Sequence, residues 1–136
     1  MKIVCGIGNI WRGDDGAGIR AAEMLKEKYQ VFICNTYPEN FVDEICRLRP
    51  EKVIIIDAAD FGAEPGTFRE IDISEIDSRL LSTHTIPLSF FVSLIKCCCQ
   101  EVVVYGIQVK DIDFRDHLSP EVRRGVRALV NLLMSE

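Results

Sequence analysis

"KIVCGIGNIWRGDDGAG" (Lys2–Gly18) runs from an apolar stretch through a glycine loop into the start of a helical pattern. Lys2 to Gly8 is nearly continuously apolar, which is how a strand buried on both faces of a parallel sheet reads. Gly6, Gly8 and Gly13 let the chain reverse tightly, and further on Ile19, Ala22, Leu25 and Tyr29 share one helical face. Strand, glycine loop and helix in that order form the opening unit of a doubly wound α/β sheet.

The alternation continues along the chain. Val31–Asn35 reads as a second strand. Asn40–Pro50 reads as a helix, with Asn40 as N-cap and Pro50 just beyond its end. Lys52–Asp57 is a third strand with Asp57 as its last residue. Pro65 and Gly66 turn the chain into a short strand, and Ile86–Cys99 is a helix with Pro87 in its first turn. Glu101–Val109 is the last strand. Ser119 and Pro120 open a terminal helix whose Val122, Val126, Leu129, Val130 and Leu133 lie on one face. No linker or repeat interrupts the pattern, so one domain is expected over residues 1–136.

With 136 residues, 48% of them hydrophobic, the chain can bury a sizeable core. Its formal charge of −5 and the lack of a Lys/Arg stripe argue against nucleic acid as a partner. The arginines at 47 and 49, and at 123, 124 and 127, read as solvated helix faces. No apolar run approaches the roughly 20 residues that span a bilayer, and the N-terminal stretch lacks a signal-peptide pattern. Of the six cysteines, Cys97, Cys98 and Cys99 are consecutive, and Cys5, Cys34 and Cys46 fall on apolar positions. All six are expected to be reduced thiols, which places the protein in the cytoplasm.

Ligands of doubly wound sheets bind beyond the C-terminal strand ends. That rule gathers Asp14 and Asp15 after strand one, Asp57 at strand three, and His84 in "STHT" before the Ile86–Cys99 helix. Three ligand readings compete. A dinucleotide needs GxGxxG, but Trp11 occupies the third glycine position and two aspartates would repel a pyrophosphate. A phosphoryl-accepting receiver domain needs an acidic pair, a phosphorylatable Asp, a Ser/Thr and a Lys. Asp14, Asp15, Asp57, Thr83 and Lys110 imitate that order, but the long glycine loop and His84 do not fit. A metal held by Asp15, Asp57 and His84 uses an O, O, N set suited to nickel, zinc or manganese with positions left open. Asp14 reads as a cap of the following helix rather than a ligand.

"GIGNIWRGDDGAG", "PEN", "IIIDAADFGAEPG", "THTIPL" and "VVVYGIQ" follow one another as in hydrogenase maturation proteases, which the chain resembles from Lys2 to about Leu133. The resemblance implies a twisted, mainly parallel five-stranded sheet flanked by helices on both faces. It implies an endopeptidase that removes the C-terminal extension of a nickel-iron hydrogenase large-subunit precursor after nickel insertion. The family's metal-binding acids and histidine fall on Asp15, Asp57 and His84, with Asp15 and Asp57 also the catalytic candidates. Nickel is expected to arrive on the substrate, though zinc or another divalent ion suits the same side chains. Whether metal-assisted or aspartic-type chemistry cuts the bond stays open, and a nickel chaperone without proteolysis is a further alternative. Asn9, Trp11, Glu39 and Asn40 are the substrate-contact candidates, and a monomer is expected so that the precursor can dock over the site.

Overall fold

The computed structural model describes residues 1–81 and 86–136. Five strands form one sheet: β1 (Lys2–Ile7), β2 (Gln30–Asn35), β3 (Lys52–Ala59), β4 (Phe68–Glu70) and β5 (Glu101–Gln108). Their order is β2-β1-β3-β5-β4, parallel except for β4, which pairs antiparallel with β5. The helices are α1 (Ala17–Glu23), α2 (Val42–Arg47), α3 (Ile76–Arg79), α4 (Leu88–Lys96) and α5 (Pro120–Ser135).

Strand residues alternate between the two faces of a sheet, and two separate cores result. Ile3, Cys5, Ile7, Val53 and Ile55 pack with Ile45 of α2, Ile76 of α3, and Phe91 and Ile95 of α4. Val4, Ile54, Ile56 and Ile107 pack instead with Ala21 of α1, Leu25 just beyond it, and Val122, Val126 and Leu129 of α5. The result is three layers, with the central strands β1 and β3 covered on both sides. Near-continuous apolar character is what that position demands.

Several boundaries differ from the sequence reading. Helix α1 ends at Glu23 and the chain continues to Tyr29 in turns, although Leu25 and Tyr29 stay buried as expected. Asn40 caps nothing: Pro38–Phe41 is a 3-10 turn leading into α2, whose first flanking residue is Phe41. Strand β3 runs to Ala59, so Asp57 is not its last residue but the sixth of eight. The expectation of six reduced thiols is overturned as well. Cys46 of α2 and Cys98 beyond α4 form a disulfide, with Cα atoms 5.5 Å apart, and Cys5, Cys34, Cys97 and Cys99 stay free. Neighbouring cysteines indeed do not pair; the bond comes from α2 lying against α4, which places residues 52 apart in sequence side by side.

Candidate active site

The site begins where β1 ends. Gly8 has φ +139°, and a Cβ there would lie 2.1 Å from the Asp15 carbonyl oxygen, so only glycine lets the loop close on itself. Asn9 N–H donates to that same carbonyl at 3.4 Å, Arg12 N–H to Asn9 O, and Asp15 N–H to Arg12 O. The Asn9 side-chain oxygen accepts from Trp11 N–H at 2.9 Å, so this residue shapes the loop from within. Gly13–Gly16 then forms a 3-10 turn that leads directly into α1. A Cβ on Gly18 would lie 2.2 Å from Ile56 O and 2.6 Å from Ile7 O, so its absence lets the first turn of α1 sit on β1 and β3 together. Asp15 is held at the neck of this closed loop, 4% exposed.

Asp57 lies on β3, paired with Gly106 of β5, and is fully buried. One of its carboxylate oxygens accepts from the backbone N–H of Ala58 at 2.8 Å. The parity of β3 puts it on the face that carries α4, with Val53, Ile55 and Ala59. Leu80 bridges Ala59, Leu81 N–H donates to Ala58 O at 3.0 Å, and Asp60 N–H donates to Arg79 O. The chain leading to residues 82–85 is thus fastened to β3 beside Asp57. His84 and Thr83 lie outside the described residues, and among the described residues no group of three or more His, Cys, Asp or Glu is placed to hold a metal.

Asp14 has a different task from its neighbour, and not the capping one expected of it. Helix α1 has no side-chain cap at its start. The Asp14 carboxylate accepts instead from Ser119 N–H (2.7 Å), Ser119 O–H (2.8 Å), Lys110 N–H and Asp111 N–H (2.9 Å each). It fastens the glycine loop to the segment between β5 and α5. Backbone bonds reinforce the tie: Gly13 N–H donates to Arg115 O, Asp14 N–H to Asp111 O, and Arg115 N–H to Trp11 O. The segment braces itself too, because Asp113 N–H donates to Asp111 and, with Arg115 nearby, holds that carboxyl below its ordinary 3.8. Lys110, the would-be receiver lysine, is engaged with Glu121.

An open cleft of about 240 Å³ lies over the loop, lined by Gly8, Asn9, Ile10, Trp11, Asn35 and Thr36. Trp11 is 56% exposed. Glu39, in the 3-10 turn after β2, has one carboxylate oxygen shut away from solvent with no hydrogen-bond partner among the described residues. Asn40, next to it, is exposed. Asn35 and Thr36 went unnoticed in the sequence. Asn35 has φ +52° and its carbonyl accepts from Gly8 N–H, so its signal is a left-handed backbone that only neighbouring strands reveal. Phe114 was also missed; it stands 86% exposed beside Trp11's partner Arg115.

Two buried carboxylates, one in the 3-10 turn that follows β1 and one inside the neighbouring strand β3, suit a cation better than a phosphate or nucleotide. Comparison with known proteins shows the family. The family model described as hydrogenase maturation protease matches residues 19–136. The chain belongs to the hydrogenase maturation protease family. Among relatives of this family, the hydrogenase 3 maturation protease of Escherichia coli is 33% identical over 132 residues, covering 93% of this chain and 85% of the relative. A putative hydrogenase maturation protease of Methanocaldococcus jannaschii is 35% identical over 145 residues, covering 97% and 85%. The solution structure of the endopeptidase HycI from Escherichia coli superposes with a TM-score of 0.87 at 30% identity, over 99% of this chain and 90% of that one. The nickel-iron hydrogenase maturation protease HycI from Thermococcus kodakarensis gives 0.84 at 33% identity, over 98% and 90%. The receiver and dinucleotide readings find no counterpart among these hydrogenase maturation proteases.

Proposed function

We propose that this protein removes the C-terminal extension of a nickel-iron hydrogenase large-subunit precursor once nickel has been inserted. The observation that carries this reading is the burial of Asp15, in the turn after β1, and of Asp57, on β3 beside the anchored stem that leads to residue 82, in a chain of this family. Nickel enters as part of the substrate. Asp15, Asp57 and His84 offer two carboxylates and an imidazole to complete the coordination sphere of a metal already held by the precursor, so that cleavage reports on loading. A resident zinc or other divalent ion would be held by the same three side chains and would polarise the scissile carbonyl.

The chain's own contribution is positioning and proton transfer. Asp57 or Asp15 accepts the proton of the attacking water as the peptide bond opens, which makes the pair catalytic as well as metal-directed. Asn9 and Trp11 on the cleft, with Glu39 and Asn40 on the turn beyond β2, are assigned to the precursor chain. Trp11 supplies an exposed aromatic anchor of the kind that dominates interfaces. The protein acts as a monomer in the cytoplasm.

The test uses the purified protein and the extended precursor, prepared with and without nickel, and reads the precursor's C-terminal mass. A short peptide is lost only from the nickel-loaded form, and Asp57→Asn and Asp15→Asn each slow the reaction by about 100-fold or more. Cleavage by Asp57→Asn at the wild-type rate removes that residue from the chemistry. An intact nickel-loaded precursor after incubation rejects the protease reading in favour of nickel binding alone.

A further inference from the structure

A second cavity, of about 310 Å³, lies between α1 and α5 and takes no part in the chemistry above. Its apolar lining is buried Leu118 and Val126 together with exposed Met24. Its walls carry Arg20 from α1, Arg123 and Arg127 from α5, and His117 from the segment between β5 and α5. Arg123 and Arg127 stand one helical turn apart, and Arg20 reaches the same space from another element, so the grouping is made by the packing of α1 on α5. Arg124, although adjacent in sequence, does not line it.

The acids present pair with part of this set and leave two of its arginines over. Arg20 shares Glu23 at 3.3 Å and donates to the backbone oxygen of Asp116, whose carboxylate sits 3.3 Å from His117 Nδ1. Arg123 donates only to the backbone oxygen of Leu118, and neither Arg123 nor Arg127 has an acidic partner among the described residues. On a chain of net charge −5, a basic hollow with an apolar lining is complementary to one kind of ligand. That ligand has an apolar side chain for the lining and carboxylates for the rim, and guanidinium groups bind carboxylates in paired geometry.

The location says what carries that ligand. Asp116, His117 and Leu118 line the cavity, while Arg115, immediately before them, is bonded to the backbone of Trp11 on the cleft. Phe114 projects from the same stretch, 86% exposed. The segment from Phe114 to Leu118 thus joins Trp11 at the cleft, through Arg115, to the lining of the arginine cavity. We propose that the α1–α5 cavity is a docking site, outside the cleavage cleft, for an acidic segment of the precursor with one apolar anchor residue. The inference rests on the processing reaction proposed above and names a further part of the precursor that the protein reads.

Replacing both rim arginines, Arg123→Glu with Arg127→Glu, tests it. Both side chains are exposed on α5, and an unchanged thermal midpoint verifies the fold. With nickel-loaded precursor the double variant raises KM about tenfold or more and keeps kcat within twofold, since uniform binding is lost and the chemistry is untouched. The difference shrinks as ionic strength rises. Lysine at both positions restores most of the affinity, and Arg124→Glu stays near wild type. A double-variant KM within twofold of wild type, or an equal effect from Arg124→Glu, overturns the docking site while leaving the protease reading intact. Direct calorimetric binding of the precursor separates the two claims. Wild-type binding without cleavage, weakened tenfold by the double variant, supports the docking site and rejects the protease; no binding by the wild type rejects both.

Discussion

The carboxylate of Asp14 is surrounded by donors from Ser119, Lys110 and Asp111, all of them 96 to 105 residues away in sequence. Removing it leaves the two buried donors of Ser119 and the part-buried amides of Lys110 and Asp111 without an acceptor, and each buried orphan costs about 1–3 kcal/mol. Asp14→Ala is therefore expected to lower stability by about 3–5 kcal/mol, and Asp14→Asn, which keeps one acceptor oxygen, by about 2–3. Urea unfolding at pH 7 measures both; a loss under 1 kcal/mol for Asp14→Ala contradicts the clamp. The sequence shows two adjacent aspartates after a glycine loop and cannot divide the labour between them. Motif order singles out Asp15. The role of Asp14 depends on partners from the far end of the chain, which is why a local capping role was the natural expectation. Glu39, by contrast, was flagged by its tripeptide alone, and only the structure shows a carboxylate oxygen shut away from water there.

At the scale of elements, the stretch from Lys110 to Ser119 has no regular secondary structure, yet it borders both the cleft and the basic cavity. Ionised side chains brace it. Asp111 is held below its ordinary 3.8 chiefly by Asp113 N–H, and Glu121 below 4.5 chiefly by its bond from Lys110. Both carboxyls have depressed values in the folded protein, so their support is complete above the unfolded values near pH 4. It is lost as pH falls through the lower folded values. Amide-exchange protection factors, corrected for intrinsic rates, should drop for residues 110–117 between pH 5 and pH 3, while those of β3 hold. Equal losses in both places would mean global acid unfolding instead. Strands β1, β2, β3 and β5 and helices α4 and α5 could be read from hydrophobic periodicity because each buries a regular face. Helix α3 has only four residues, and the 3-10 turns before α1 and α2 leave no periodic trace, so these escaped notice.

For the molecule as a whole, strand alternation predicted the layers, but the antiparallel pairing of β4 on the edge comes from tertiary context that one sequence does not display. The disulfide was hidden for the same reason. Cys46–Cys98 closes a loop of 52 residues that includes β3 and the approach to α4, and loop-closure entropy gives a cross-link of that span about 2–4 kcal/mol. Excess dithiothreitol, or Cys46→Ser, should reduce unfolding free energy by that amount without altering the sheet's circular dichroism. A reduced protein of unchanged stability would show that the bond contributes nothing to the fold. The placement of Asp57 in the interior of β3 has a consequence of another kind. Its strand is walled in by two neighbours and two helical layers, so a change of side-chain size there is felt in the packing, whereas the isosteric Asp57→Asn keeps the shape. The arginines and the exposed aromatics stand on surfaces that tolerate change. Such a layout lets the outside of the protein drift from one descendant to the next while the position at its centre stays fixed.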